Sequence, residues 1–363
     1  MRTGIYFLLI VFLFFSCQTG KEQVYYEEIN GFPNDEVGIE QGVSACFAGI
    51  LNDYLLMAGG CNFPEVAAAD GGTKRYYKGI YAARLSKDNS FNWKKVGDLP
   101  EEVAYGVTIP LSDRFLLVGG NNLRTSFNTV YVVEWADQSH TAVNVKSITT
   151  LPFSLDNMTG CLIGKYVYIA GGNKDGKTCN DVIRLSLQEI DKGWEYLPPF
   201  PGQARIQPIC GGIKNEFYLW GGFDLNTKEL DINGYRFDEK WKQWESVDGP
   251  TDMRQEPLFT GGGIASERDS RHLVVIGGVH KDVFMTGMQQ TDSIYMRYPI
   301  PWYRFNPYVL QFDGKRWEVL SDSQGITARA GAALVHKGKT FYLVGGELKP
   351  GIRSNKIYRI RIE

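Results

Sequence analysis

The sequence predicts an all-β chain folded as a six-bladed propeller, and three observations carry that prediction. A phrase of apolar residues closing on Gly-Gly occurs six times, at Met57-Ala58-Gly59-Gly60, Leu117-Val118-Gly119-Gly120, Ile169-Ala170-Gly171-Gly172, Leu219-Trp220-Gly221-Gly222, Val275-Ile276-Gly277-Gly278 and Leu343-Val344-Gly345-Gly346. Successive copies lie 60, 52, 50, 56 and 68 residues apart, which is the signature of a repeat with one supersecondary unit per copy. Each interval reads as four short strands, rich in β-branched and aromatic residues with turn residues between them. The last unit stops after three strands, while residues 23–31 supply a lone strand ahead of the first complete unit, so the two chain ends together make the sixth blade. A ring closed in this way leaves few sheet edges exposed.

The unit around Gly119 shows the reading element by element. Ala104 to Ser112 is an apolar first strand, Arg114 to Gly120 a second ending in the doublet, Asn128 to Ala136 a third, and Asn144 to Pro152 a polar fourth. Tyr81, Tyr131, Tyr235, Tyr308 and Tyr358 recur in third strands, and Trp93, Trp194, Trp244 and Trp317 open fourth strands. This order of Gly-Gly, Tyr and Trp resembles the kelch repeat. The glycines serve turns at positive φ where neighbouring blades pack closely. They are no phosphate loop, because no Lys-Ser/Thr follows them and no helix begins there.

At the N-terminus, Met1 and Arg2 lead into an apolar run from Ile5 to Phe15 closed by Ser16-Cys17. The run is too short to span a membrane and suits a secretory signal. Its end resembles a bacterial lipobox, which makes Cys17 the lipidated first residue of the mature protein. The expected division is therefore a signal segment at 1–17 and one propeller domain at 18–363, exported to the periplasm or held at the outer membrane by a lipid. With 39 basic and 41 acidic residues, the chain carries no nucleic-acid footprint. Five cysteines remain after Cys17, and Cys46, Cys161 and Cys210 fall in apolar first strands, where a free thiol acts as a small hydrophobe. Cys-x-x-Cys and His-x-x-x-His spacings are absent from the sequence, so neither a metal nor any other cofactor is expected.

Antiparallel strands put the connection into each first strand on the same rim as the residues just after each doublet. That rim collects Asn62, Asn121, Asn173, Phe223, His280 and Glu347 from the second set, and Tyr105, Asn157, Arg205, Arg254 and Arg329 from the first. Three arginines at corresponding junctions predict an anion site, since a guanidinium binds a carboxylate bidentately. Arg205, Arg254 and Arg329, with Tyr105 and Asn62, are thus the expected substrate contacts. Glu347 is the one acidic residue directly after a doublet, and the Pro350-Gly351 turn is placed to bring Arg353 back toward it. The stretch from Val279 to Asn306 reads as a long loop without strands; its Tyr295, Tyr298, Trp302, Tyr303 and Phe305 argue against disorder and leave a partial lid and a subunit or blade-side contact as equal readings.

Gly346-Glu-Leu-Lys-Pro-Gly-Ile-Arg353, with Cys46-Phe-Ala-Gly-Ile-Leu-Asn-Asp53 and Ala104-Tyr-Gly-Val-Thr-Ile-Pro110, resembles the bacterial kelch sialic acid mutarotases, also called N-acetylneuraminate epimerases, in their cyclically permuted branch. The resemblance implies that Glu347 is the catalytic proton acceptor and Arg353 its catalytic partner. Arg205, in Phe200-Pro-Gly-Gln-Ala-Arg205, also resembles the family pattern, whereas Arg254 and Arg329 rest on geometry alone. The activity so implied is interconversion of the α and β anomers of N-acetylneuraminate by acid–base ring opening, with the small sugar acid as partner and the oligomeric state, a homodimer included, left open. The alternative is a non-catalytic kelch module that binds a glycan or protein, since fold does not fix function. An oxidase of the copper-containing kelch kind is disfavoured by four histidines without ligand spacing.

Overall fold

The computed structural model describes residues 22–363; the expected signal segment and Cys17 lie outside them. The described chain is predominantly β and contains six four-stranded antiparallel sheets. In sequence order each begins with Phe47–Leu51, Val107–Pro110, Thr159–Ile163, Ile209–Ile213, Ile264–Asp269 or Ala333–Lys337, and the second, third and fourth strands follow outward. The last sheet takes its fourth strand from the other end of the chain: Val24–Ile29 pairs antiparallel with Ile357–Ile362, from Val24 opposite Ile362 to Ile29 opposite Ile357. The first strands pack on one another in a cycle, each against the next and the sixth back against the first.

A circuit of backbone hydrogen bonds runs through the six junctions where the chain enters these first strands. Tyr105 N–H donates to Ala45 O, Asn157 to Tyr105, Gln207 to Asn157, Gly262 to Gln207, Gly331 to Gly262, and Ala45 back to Gly331, at 2.7 to 3.2 Å. All six residues have left-handed φ, between 51° and 73°. That conformation costs a non-glycine residue roughly 1–2 kcal/mol, and each backbone bond it enables returns about 1 kcal/mol.

The repeated residues of the sequence sit at sheet-to-sheet contacts. At Gly345 (φ 63°) a Cβ would lie 2.4 Å from Val43 O of the first sheet's approach, and Gly346 N–H donates to that same carbonyl at 2.8 Å, so the doublet fastens the sixth sheet to the first. The tryptophans are staples of a second kind. Trp93, Trp194, Trp244 and Trp317 donate their indole N–H to the carbonyls of Gly31, Thr150, Pro198 and Asp248, each at the outer end of the preceding sheet. Between the sheets lie aliphatic and aromatic clusters such as Phe47, Leu51, Leu56, Phe115, Leu117 and Val133, all nearly sealed from water. Each such side chain contributes about 1.5–3 kcal/mol by burial.

The segment from Val279 to Asn306 is strandless as expected, yet it departs from an all-β chain by holding the α-helix Lys281–Gln289 and 3-10 turns at Tyr295–Arg297 and Ile300–Tyr303. Val283 and Met288 face inward, and the Phe284 ring lies 4.7 Å from that of Phe223, which anchors the helix on an aromatic cluster. Gln290, at φ 55°, ends the helix by returning its N–H to Gly287 and Thr286.

Candidate active site

The expected shared rim is present. Residues after the doublets bridge to residues before the first strands, as Ser44 to Cys61, Ala104 to Asn121, Ile206 to Phe223 and Ala330 to Glu347. Glu347 is held in this way by two backbone bonds with Ala330, N–H to O at 2.7 Å and O from N–H at 2.9 Å. It opens the short hairpin Glu347–Lys349 and Ile352–Arg353, in which Glu347 stands opposite Arg353. Gly351, at φ 83°, makes the turn and donates its N–H to Glu347 Oε1 at 3.0 Å.

Glu347 Oε2 and Arg353 Nη1 are 2.9 Å apart, with the carboxylate side chain 25% exposed and the arginine side chain 4% exposed. The contact is close without being an aligned hydrogen bond, because Nη1 and Nε of Arg353 are buried and have no hydrogen-bond partner. Burial is the largest single influence and lowers the Arg353 pKa, but the Glu347 carboxylate, Tyr105 and Cys61 together outweigh it and the group stays above its ordinary value. The guanidinium also lies 5.5 Å from the centre of the Phe63 ring.

Tyr105 joins this pair. Its hydroxyl receives a hydrogen bond from Lys74 Nζ at 2.9 Å and contacts the Cys61 thiol at 3.5 Å. Burial first, then the neighbouring Cys61 and, further down, Glu347, push its pKa well above that of ordinary tyrosine, against the pull of Arg353. On the circuit, Tyr105, Asn157 and Gln207 form a polar arc in which Gln207 Nε2 donates to Asn157 Oδ1 at 2.8 Å and Asn157 Nδ2 to Asp156 Oδ1 at 2.7 Å. Gly262, Gly331 and Ala45 form the opposite arc. Gly331 brings no side chain to the floor, and a Cβ there would meet Ala45 N and Ser44 Cβ at 3.7 Å, an ordinary contact distance.

The other expected contacts lie elsewhere. Arg205 is fully buried, and its guanidinium is spent on Asp231 at 2.6 Å and on the carbonyls of Gln203, Gly221 and Pro201. Arg329, 3% exposed, donates to Gly345 O, Ile326 O and Ser354 Oγ, and burial lowers its pKa to about 10. The Arg205 nitrogens are all taken up inside the protein, and those of Arg329 are too except its buried Nε, which has no partner; both act as internal ties of the sheets. Asn62 is likewise consumed, donating to Gly38 O and Gly42 O and accepting from Tyr77. Arg254 is exposed in the turn that Asp252 caps, and its side chain makes no ion pair among the described residues. Of the expected set, then, Glu347, Arg353 and Tyr105 come together.

Lys74, Phe63 and Cys61 belong to the same cluster and were not expected from the sequence. They lie in the irregular segment after Gly60, and the one hint is its extra length before the third strand. The 279–306 segment also reaches the site: Lys349 Nζ donates to Tyr298 O at 2.6 Å and Met296 O at 3.2 Å, and Arg297 pairs with Asp70 at 2.8 Å. Among the described residues no group of His, Cys, Asp and Glu is arranged to hold a metal.

The chain matches known proteins along most of its length. The model of a family described as N-acetylneuraminate epimerase matches residues 15–142 and 149–363. The N-acetylneuraminate epimerase of Escherichia coli (strain K12) is 26% identical over 239 residues, covering 60% of this chain and 61% of the relative. A Kelch domain-containing protein of Vibrio cholerae serotype O1 is 25% identical over 237 residues, covering 59% and 63%. The chain thus spans about three fifths of the length of the curated relatives it matches. A solved structure described as "Structure of YjhT" aligns with a TM-score of 0.49 at 25% identity, over 58% of this chain and 63% of that one.

Proposed function

This chain belongs to the N-acetylneuraminate epimerase family, and from that premise we propose that it is a sialic acid mutarotase, exchanging the α and β anomers of N-acetylneuraminate by acid–base ring opening. The observation that carries the reading is the Glu347–Arg353 pair, held face to face on a short hairpin whose turn donates the Gly351 N–H to the carboxylate. The anomeric carbon of this sugar also bears its carboxylate. A carboxylate docked on Arg353 therefore brings the anomeric hydroxyl to Glu347, which takes its proton as the C–O ring bond opens. The carbonyl carbon then turns about its single bond, and the ring recloses on the other face. Positioned acid–base groups supply typically about 10²- to 10⁴-fold, enough for a reaction that already proceeds unaided. The test is α-anomer decay followed by NMR after release by a sialidase: faster equilibration at catalytic protein concentration supports the reading. Binding without acceleration would favour a glycan- or protein-binding kelch module.

The same proposal takes the six sheets as six blades, closed by strand 24–29 and circularly permuted relative to the relatives. An ordered match to three fifths of each curated relative, beside a family match across nearly the whole chain, is what permutation would produce. It also places the protein outside the cytoplasm on a lipid at Cys17, as the apolar run before Ser16-Cys17 suggests. Mass spectrometry of the mature N-terminus tests this, and an unmodified first residue other than Cys17 would defeat it.

A further inference from the structure

Ring opening needs a proton delivered to the ring oxygen as well as one removed from the anomeric hydroxyl, and Glu347 fills only the second role. Tyr105 is positioned for the first. Its main chain is locked in the hydrogen-bond circuit at both N–H and C=O, so its side chain leaves a fixed point. Its hydroxyl oxygen accepts from Lys74 Nζ at 2.9 Å and touches a thiol, a weak partner, at 3.5 Å. The hydroxyl proton is therefore free for a stronger acceptor. Lys74 makes no ion pair among the described residues; it stands instead over the rings of Tyr105, Phe63 and Tyr76, at 4.7, 5.9 and 5.9 Å. Phe63 thus carries the Lys74 ammonium near its ring and the Arg353 guanidinium 5.5 Å from its centre, which places both cations about one aromatic side chain.

We propose that Tyr105 is the general acid of the reaction and that Lys74 positions it and resupplies its proton; this rests on the mutarotase reading. In the opening step Glu347 takes the anomeric hydroxyl proton, that oxygen becomes the carbonyl, the bond from the anomeric carbon to the ring oxygen breaks, and Tyr105 protonates the departing oxygen. The tyrosinate formed is neutralised by a proton from Lys74. Reclosure reverses each transfer: Tyr105 gives its proton back to Lys74 as it takes one from the ring hydroxyl, and Glu347 returns its own to the carbonyl oxygen. No electron or co-reactant is consumed. The raised pKa of Tyr105 keeps the acid protonated at rest.

The test is saturation kinetics of anomer exchange by NMR on the wild-type protein and on Tyr105→Phe, Lys74→Met and Lys74→Arg, with thermal melts confirming that each folds. Tyr105→Phe should lower kcat by about 10²-fold or more with KM little changed. Lys74→Met should lower kcat as well, and Lys74→Arg, which keeps the charge but does not release its proton, should restore little of it; a Lys74→Arg protein with wild-type kcat would overturn the proton resupply. A wild-type protein that leaves exchange unaccelerated removes the mutarotase reading and this step with it. Accelerated exchange that survives Tyr105→Phe overturns the acid assignment alone. Lys74→Met that raises KM and spares kcat makes Lys74 a carboxylate holder and overturns its part in proton transfer.

Discussion

Arg205 and Arg329 are counterparts: each lies 16 residues before the first glycine of its doublet and donates Nη1 to that glycine's carbonyl, at 3.1 Å to Gly221 and 2.7 Å to Gly345. Their aliphatic stems pass against the second glycine, where a Cβ on Gly222 would lie 2.9 Å from Arg205 Cδ and one on Gly346 3.0 Å from Arg329 Cδ. The same place before the four other doublets holds Val43, Val103, Leu155 and Gly261. A position that takes valine, leucine, glycine or arginine is one of packing between sheets.

The two arginines should nevertheless respond differently to removal. Arg205→Leu strands the buried Asp231 carboxylate, whose side chain is 11% exposed, and breaking a buried pair costs about 3–5 kcal/mol. Arg329→Leu leaves no carboxylate behind and should cost less. Urea midpoints measure both. An Arg205→Leu protein of unchanged stability and raised KM would return Arg205 to the substrate.

Removal of residues 18 to 31 should lower the melting temperature. It strips six ladder pairs from strand Ile357–Ile362 and the Glu27 partner of Arg359, 2.7 Å away, leaving an open sheet edge. A truncated protein that melts where the intact one does would refute closure by the N-terminal strand.

Stability should depend on Glu267. Burial raises its pKa from 4.5 to about 7, even though its carboxylate accepts the Gly212 N–H at 2.8 Å. The folded state then holds this proton more tightly than the unfolded chain, so stability falls as pH rises from about 4.5 to about 7 and levels off above. Glu267→Gln should flatten that part of the curve. An identical slope in the variant would assign the dependence to other groups.

The repeating parts of the structure were legible because each is stated several times. Gly-Gly, Tyr and Trp recur where the sheets touch, and antiparallel order alone puts the doublets and the first-strand junctions on one rim. The direction of a single side chain was not so constrained. Arg205 and Arg329 stand at the rim in sequence, yet their guanidinium groups turn inward to backbone carbonyls; Asn62 turns likewise to Gly38 and Gly42. The Val and Leu residues at the same offset were the available sign. Lys74 sits in an irregular stretch without a repeat to locate it, and the helix Lys281–Gln289 was hidden in a segment known only to lack strands.

Glu347 is the proposed base of the reaction. Gln at this position keeps the volume and can still accept the Gly351 N–H through its amide oxygen, but it cannot take up the anomeric proton. The deciding measurement is the saturated rate of α-anomer decay by NMR in Glu347→Gln beside wild type, using sialic acid freshly released by a sialidase, with binding followed separately by calorimetry. If Glu347 is the base, the rate falls by about 10²- to 10⁴-fold with affinity largely kept. Exchange at the wild-type rate in Glu347→Gln would contradict it.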